Sequence, residues 1–138
     1  MKTFLFSIFM LFGLFSIFAN NSGELVDFQM NGLSSDPKIE LIQFHSTKRC
    51  VSCTNMQAFA EETADKFDHL TFKSIDVDKS ENAEISRHFQ VAGTALFLYH
   101  PESGNMEDLT SFGFMNVRNK DKFIEGLSGK INAFTSKN

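Results

Sequence analysis

Apolar and polar positions along this chain follow two periods, one typical of strands and one typical of helices. Residues 39–44 and 95–99 are short apolar runs, which favour buried strands, whereas residues 70–76 alternate as a half-buried strand does. Other stretches repeat their apolar residues every three to four positions. The pattern predicts strands at residues 39–44, 70–76, 95–99 and 106–112, and helices at residues 50–67, 81–89 and 119–134.

Turn and cap residues separate these segments. Ser80 is a suitable N-cap for the second helix. Residues 101–105 are expected to form a hairpin turn, and Gly113 to end the strand that follows it. The alternation of strands and helices predicts parallel core strands, to which the hairpin adds an antiparallel edge. The predicted core faces of the two long helices are Val51, Met56, Phe59, Ala60, Ala64 and Phe67 in the first, and Phe123, Ile124, Leu127 and Ile131 in the last.

The N-terminal residues have the pattern of a secretory signal peptide. Lys2 supplies a positive start, and the run from Phe4 to Ala19 is almost wholly apolar, with six phenylalanines. This run is shorter than the roughly 20 residues of a membrane-spanning helix. We therefore predict a signal peptide at residues 1–19, with an uncleaved N-terminal anchor as the alternative. The protein is accordingly expected to be exported, to the periplasm or beyond the cell.

Residues 20–37 are polar and rich in turn-forming residues, so they are predicted to be a linker. Within them, residues 24–30 alternate weakly and are a candidate for a short first strand. The domain itself is assigned to residues 38–138. Without Lys2 the chain has 12 basic and 17 acidic side chains. This balance argues against nucleic acid or an anionic membrane surface as the partner.

The two cysteines of the chain, Cys50 and Cys53, form one C-x-x-C between a predicted strand and a predicted helix. Unpaired N–H groups and the macrodipole at a helix start favour negative charge. Lys48 and Arg49 add positive potential from the preceding residues. Both effects lower the pKa of the Cys50 thiol from about 8.5 and make it the attacking thiol. Cys53 follows one turn later on the same helix face, so it can close a disulfide onto Cys50.

Other known uses of a cysteine pair fit this sequence less well than a redox-active pair does. By the chain-entropy model, a structural disulfide closing about four residues contributes only roughly 2 kcal/mol. A structural zinc site needs four ligands, but the four histidines are scattered and there is no second C-x-x-C. Haem attachment requires a histidine directly after the second cysteine, where Thr54 stands. A structural disulfide and a zinc site remain as alternatives, and haem attachment is excluded.

Together these features resemble the thioredoxin fold, an α/β fold with a central mixed sheet flanked by helices. The exported form is similar to the periplasmic thioredoxin-like reductases and oxidases of bacteria. A narrower likeness, carried by F-H-x-T-x-R-C-x-x-C, is to small exported thioredoxin-like proteins assigned as subunits of a nitrophenyl compound nitroreductase. The resemblance covers about residues 38–134 and rests on the C-x-x-C, the strand end Asp76-Val77-Asp78, the helix end His88-Phe89-Gln90-Val91 and the strand entry Gly93-Thr94-Ala95-Leu96-Phe97.

The resemblance implies an exported thiol–disulfide oxidoreductase. Cys50 would attack a partner disulfide, and Cys53 would resolve the mixed disulfide that forms. The implied partners are a protein dithiol or disulfide, docking over residues 91–95, and a membrane or periplasmic electron donor. No cofactor is expected. The alternative is a metal-binding protein of copper type, or an accessory redox subunit that uses the fold as a scaffold.

One departure from the family pattern lies beside the predicted thiols. Ala95, after Thr94, stands where the family usually has a cis-proline. Because a non-proline cis bond costs about 2.5–4 kcal/mol, we predict a trans bond or a reshaped loop there. In the family this proline also helps to keep metal away from the thiols. Its absence therefore favours the copper alternative, with Cys50 and Cys53 as ligands and His45 as a further candidate.

Two further departures concern the end of the first predicted strand. Gln43 stands where thioredoxins often have a buried aspartate, and a glutamine cannot accept a proton. The interval between Phe44 and the first cysteine is one residue longer than in thioredoxin itself. His45 is then the remaining candidate for acid–base work, although the simpler interpretation is a loop histidine without a role. The residues predicted to tune the thiol or dock the substrate are Lys48, Arg49, His45, Thr94 and Ala95.

Overall fold

The computed structural model describes residues 39–138, which form a four-stranded sheet with helices on both faces. The signal peptide predicted at residues 1–19 and the linker and short strand predicted at residues 20–37 lie outside the described residues. The strands are β1 (Ile39–His45), β2 (Leu70–Asp76), β3 (Ala95–Tyr99) and β4 (Met106–Asp108). The helices are α1 (Val51–Ala64), α2 (Ala83–His88), α3 (Thr110–Asn116) and α4 (Lys120–Thr135), with a 3₁₀ turn at Ser80–Asn82.

The strand order in the sheet is β2-β1-β3-β4. β1 runs parallel to β2, but β3 runs antiparallel to β1 and β4 antiparallel to β3. The predicted parallel core is therefore wrong beyond the β1–β2 pair. The reason is the length of α2, whose six residues span about 9 Å, much less than the length of β2. The chain consequently enters β3 near the end of the sheet where β2 finishes.

One face of the sheet is covered by α1, α3 and α4. The predicted residues Met56, Ala60 and Ala64 of α1 are buried there. In α4, Phe123, Leu127 and Ile131 are likewise buried, as their spacing predicted. Val51 was wrongly placed on the core face, since it is 78% exposed. It is the first residue of α1 and precedes the turns that pack on the sheet.

The opposite face is centred on Phe89, which directly follows α2. Its ring lies 5.2 Å from the rings of Phe44 and Phe97 and 5.3 Å from that of Tyr99. Fully burying such a side chain contributes roughly 1.5–3 kcal/mol. Gln90 follows in a left-handed conformation, with φ of 56°, and directs the chain away from the helix towards β3.

A buried ion pair lies at the end of the sheet away from the cysteines. The Lys73 ammonium on β2 is 2.9 Å from a carboxylate oxygen of Glu40 on β1. Burial lowers the pKa of Lys73, although the hydrogen bond and charge of Glu40 partly offset this effect. Burial, with a contribution from the same carboxylate, raises the pKa of Tyr99. Glu40 stands in a mainly apolar run, and its pairing with Lys73 was not predicted.

Several predicted boundaries need correction. The returning strand β4 has three residues, and the chain then turns into α3. Gly113 lies within this helix and does not end a strand. A Cβ atom on Gly113 would lie 2.9 Å from the Met56 side chain, so the glycine permits close packing of α3 on α1. Ser80 makes no N-cap hydrogen bond, because it is the first residue of the 3₁₀ turn. Asn119 does cap α4, with its side-chain oxygen accepting from the Lys122 N–H at 3.0 Å.

The Thr94–Ala95 peptide bond is trans, as are all peptide bonds in residues 39–138, in agreement with the sequence prediction. Across the same range, no helix combines the length and apolarity that crossing a bilayer requires.

Candidate functional site

Cys50 and Cys53 are joined in a disulfide at the start of α1, with their Cα atoms 5.1 Å apart. Cys50 is the N-cap of the helix, as its position in the sequence suggested, and its Sγ accepts the Cys53 N–H at 3.2 Å. Cys50 is exposed, whereas Cys53 is only 8% exposed. The two sulfurs therefore differ in access to solvent. An approaching molecule can reach Cys50 far more easily than Cys53.

The electrostatic setting of Cys50 favours a thiolate once the disulfide is reduced. The Cys53 N–H in the first turn of α1 points to its sulfur, and the positive end of the helix macrodipole adds to this effect. The first turn of α1 contains no acidic side chain that would oppose this effect. The thiolate is the nucleophilic form of cysteine, so this setting supports the attacking role predicted for Cys50.

Cys53 is enclosed by side chains from the two central strands and their loops. The Thr94 hydroxyl, directly before β3, donates to the Cys53 sulfur at 3.3 Å. The fully buried Gln43 amide on β1 donates to the Cys53 carbonyl oxygen at 3.0 Å. The Gln43 carbonyl oxygen is buried without a hydrogen-bond partner in the described part of the chain. Gln43 therefore fixes the backbone of Cys53 and offers no titrating group to its sulfur.

The loop between β1 and α1 is fixed by Arg49. Its guanidinium group hydrogen-bonds to the Nε2 atom of His45 and to the side-chain oxygen of Gln57 on α1. It also lies 3.5 Å from the Ser74 hydroxyl on β2. Lys48 differs, because it makes no hydrogen bond or ion pair with any residue from 39 to 138. The two predicted cations thus have different surroundings, and only Arg49 is held in place.

The same loop is tied to the end of β2 by Thr47. Its hydroxyl donates to the Asp76 carboxylate and its N–H to the Asp78 carboxylate, both at 2.8 Å. Burial alone would raise the pKa of Asp76. Hydrogen bonds from Thr47 and the Asp78 N–H, with the charges of His45 and Lys79, outweigh this effect and lower it. The two aspartates therefore hold the loop between β1 and α1 against the end of β2.

A groove of about 720 Å³ lies beside the buried side of the disulfide. Thr94 and Ala95 form part of its wall, and Thr94 connects it to Cys53. The remaining wall combines apolar side chains with polar ones, among them Asp108 and Thr110 at the β4 side. The lining residues are His88, Phe89, Gln90, Val91, Ala92, Gly93, Thr94, Ala95, Phe97, Met106, Asp108 and Thr110.

The position of the cysteines within this topology decides the fold type. The inner strand β1 leads into a C-x-x-C at the start of α1, and the loop before the inner strand β3 contacts the second cysteine. The domain has a thioredoxin-like fold. The mixed sheet flanked by helices that the resemblance implied is therefore confirmed.

Solved structures align with this thioredoxin-like chain over part of its length. The germline-specific thioredoxin Deadhead from Drosophila melanogaster is 25% identical, with a TM-score of 0.40, over 47% of this chain and 61% of its own. The Trx4 domain of ERdj5 is 14% identical, with a TM-score of 0.49, over 70% and 82% respectively. A thioredoxin from Thermus thermophilus is 20% identical, with a TM-score of 0.39, over 59% and 72%. The alignment thus spans less than two thirds of Deadhead.

No family model matches the chain, and no curated protein matches it. None of the structural comparisons concerns the narrower likeness to nitroreductase subunits, which stays a prediction. The catalytic roles predicted for the cysteines also stay predictions.

The structure brings the predicted site residues of this thioredoxin-like domain to one end of the sheet. Arg49 contacts His45, and Thr94 contacts Cys53. His45 is 6% exposed at the end of β1, so it is not the free loop histidine of the simpler interpretation. The polar side chains that sequence reasoning missed are Thr47, Gln57 and Ser74. The position of Thr47 could have been predicted. The C-terminal ends of parallel strands lie side by side, which places the aspartates at the end of β2 beside the loop after β1.

Proposed function

We propose that this protein is an exported thiol–disulfide oxidoreductase that exchanges disulfides with a protein partner. In the reducing direction, the Cys50 thiolate attacks one sulfur of the partner disulfide. A mixed disulfide forms, and the other partner sulfur leaves as a thiolate. Cys53, as its thiolate, then attacks the Cys50 sulfur, which closes the Cys50–Cys53 disulfide and releases the second partner thiolate. The protein loses two electrons, and the partner gains them.

The observation that carries this proposal is the asymmetry of the pair. Cys50 is exposed and caps a helix, so a partner can reach it and the helix stabilises its thiolate. Cys53 is nearly buried but remains within bonding reach of Cys50. An attacking sulfur at the surface and a resolving sulfur behind it are the parts that the two-step exchange requires.

The groove beside the disulfide is the proposed docking site for the partner. It opens next to Thr94, whose hydroxyl contacts Cys53, and its wall combines apolar and polar side chains. An extended partner segment lying along residues 91–95 would bring its own sulfur to Cys50. This arrangement supports a protein substrate, because a small thiol would leave most of the groove empty.

Export and the electron donor belong to the same proposal and rest on the sequence. The N-terminal pattern of residues 1–19 supports secretion. In an oxidising compartment, an exchange-active pair either stays oxidised or is kept reduced by a donor. A membrane or periplasmic electron donor is therefore part of the reducing version of this function, whereas an oxidising version requires a terminal oxidant.

Trapping of mixed disulfides tests the proposal. In a Cys53→Ala variant the first step proceeds and the second cannot, so covalent complexes through Cys50 should accumulate in the native compartment. A Cys50→Ala variant is the matched control, because its remaining thiol is nearly buried and should trap far less. Equal trapping by both variants, or none by either, would contradict the proposed function.

The copper-type metal-binding alternative stays a prediction. Among residues 39–138, no group of three or more histidine, cysteine, aspartate or glutamate side chains is arranged to hold a metal ion.

A further inference from the structure

We propose that Asp108 makes the groove beside the disulfide selective for partner segments that carry a lysine or arginine near the reacting cysteine. This inference rests on the proposed function, because it names the class of protein substrate that the same site takes. It goes further by giving the groove a charge preference and by assigning that preference to one side chain outside the cysteine pair.

The negative charge of the groove comes from Asp108. Among the described residues that line the groove, Asp108 is the single carboxylate, and none is a lysine or an arginine. The other ionisable side chain in this lining is His88, whose ring packs edge-on against the rings of Phe89 and Tyr99. A cationic side chain that enters the groove therefore meets an opposite charge at Asp108, whereas an anionic side chain meets a like charge.

The carboxylate of Asp108 is held in place and is still accessible. One of its oxygens, Oδ1, accepts the Thr110 N–H at 2.8 Å, where α3 begins. The residue is exposed, and its carboxylate makes no ion pair and no other hydrogen bond with residues 39–138. No cation of the described domain neutralises this charge, so it can pair with a cation from a partner.

Met106 adds apolar surface next to this carboxylate. Met106 and Asp108 are two residues apart on β4, so their side chains lie on the same face of the strand, and both line the groove. Met106 is 42% exposed. The alkyl stem of a lysine or arginine can cover such apolar surface while its charged head reaches the carboxylate. The two residues together therefore fit a long cationic side chain better than an acidic one.

The sheet register gives the spacing along the partner. Asp108 lies opposite Phe97 on β3, three residues beyond Thr94, whose hydroxyl contacts the Cys53 sulfur. Three residues of extended chain span about 10 Å. The Cα atom of Cys50, whose sulfur the partner must reach, is 5.1 Å from that of Cys53. An extended partner segment should therefore carry its cation about three to five residues from its cysteine.

Rates of disulfide exchange with charged peptides test this inference. The substrates are three peptides of otherwise identical, neutral sequence, each with one cysteine as its mixed disulfide with thionitrobenzoate. They carry arginine, glutamine or glutamate four residues before and four residues after the cysteine. The Cys50 thiolate of the reduced full chain attacks the peptide sulfur and thionitrobenzoate leaves, so its absorbance gives the rate of the first step. At low ionic strength, the arginine peptide should react fastest and the glutamate peptide slowest.

Two adjacent carboxylates on β4 provide the matched comparison. Asp108→Asn should lower the arginine-to-glutamate rate ratio by about threefold, the effect of one exposed ion pair, and Asp108→Lys should lower it further. Glu107→Gln removes the same charge from the opposite face of the strand, where the Glu107 carboxylate is 3.5 Å from the Lys130 ammonium. This control should leave the ratio nearly unchanged. Circular dichroism on each variant confirms that the fold is retained.

The outcomes separate this inference from the proposed function. Equal falls in the ratio for Asp108→Asn and Glu107→Gln would mean that the overall charge of the protein selects the peptides, and would overturn the inference. So would an unchanged ratio in Asp108→Asn, or a preference that persists undiminished at about 0.5 M salt, where exposed charges are screened. In these cases the peptides still exchange and the proposed function stands. If the unmodified protein reacts with none of the peptides faster than glutathione does, the proposed function fails, and this inference fails with it.

Discussion

At the residue scale, the chemistry of the pair depends on what surrounds each sulfur. The sequence alone predicts Cys50 as the attacking thiol, because the apolar pattern that follows it indicates a helix N-terminus. The side chains that surround Cys53 were harder to predict from the sequence. Thr94 is 41 residues away in the sequence, and its contact with the sulfur depends on the β1–β3 pairing. No local sequence pattern indicates that the Thr94 hydroxyl contacts the Cys53 sulfur.

Thr94 is predicted to assist the second step of exchange by donating a hydrogen bond to the Cys53 thiolate. Thr94→Val should slow resolution by roughly fivefold, the effect of one hydrogen bond of about 1 kcal/mol. The rate can be measured by loading Cys50 with thionitrobenzoate and following its release by Cys53. Thr94→Ser keeps the hydroxyl and should retain most of the rate. If the valine variant resolves as fast as the unchanged protein, the hydroxyl has no such role.

At the element scale, the secondary structure could be predicted where the apolar periodicity was strong. The prediction failed where tertiary packing determines the structure. The bounds of β2 and β3 match their predicted ranges, β1 is one residue longer at its C-terminal end, and α4 is displaced by one residue at both ends. α3 was missed because Thr110–Asn116 mixes aromatic residues with Gly113, a composition that fits a strand ending at a glycine. Only the packing of this segment against Met56 makes the glycine part of a helix.

The direction of β3 also could not be predicted from the pattern of apolar and polar residues. Alternating strands and helices favour a parallel arrangement, but a six-residue helix cannot return the chain along a seven-residue strand. The consequence is functional. Because β3 begins where β1 ends, Thr94 lies beside the cysteines rather than at the far end of the sheet.

The tie between β2 and the β1–α1 loop should make stability depend on pH through Asp76. Its pKa is lowered in the folded protein, so its stabilising contribution is present above the unfolded value of about 4 and is lost as pH falls through the folded value. Asp76→Asn should reduce the urea midpoint at pH 7, and the difference from the unchanged protein should shrink below pH 4.

Asp68→Asn is the control for this measurement, because Asp68 is exposed and makes no hydrogen bond or ion pair within the described residues. Its urea midpoint should stay close to that of the unchanged protein at both pH values. A difference between Asp76→Asn and the unchanged protein that is the same at pH 3 and pH 7 would mean that the carboxylate charge does not hold the loop.

At the scale of the whole molecule, the candidate site lies at one end of the sheet of a thioredoxin-like domain. Most of that site could be predicted in outline, because the C-x-x-C and the order of strands and helices along the chain indicate where it lies. Its internal contacts could not, because Gln57 and Ser74 reach Arg49 from elements that become neighbours only in the folded chain. The acidic balance of the chain remains consistent with a protein partner.

The most direct test is the redox equilibrium of the Cys50–Cys53 pair with glutathione and dithiothreitol under metal-free conditions. We predict that the pair equilibrates readily, with a reduction potential between about −270 mV, typical of thioredoxin, and about −120 mV, typical of a strong oxidant. A value near the first end would indicate a reductase, and one near the second a donor of disulfides. A pair that does not equilibrate, or whose potential lies below about −300 mV as in structural disulfides, would contradict the account.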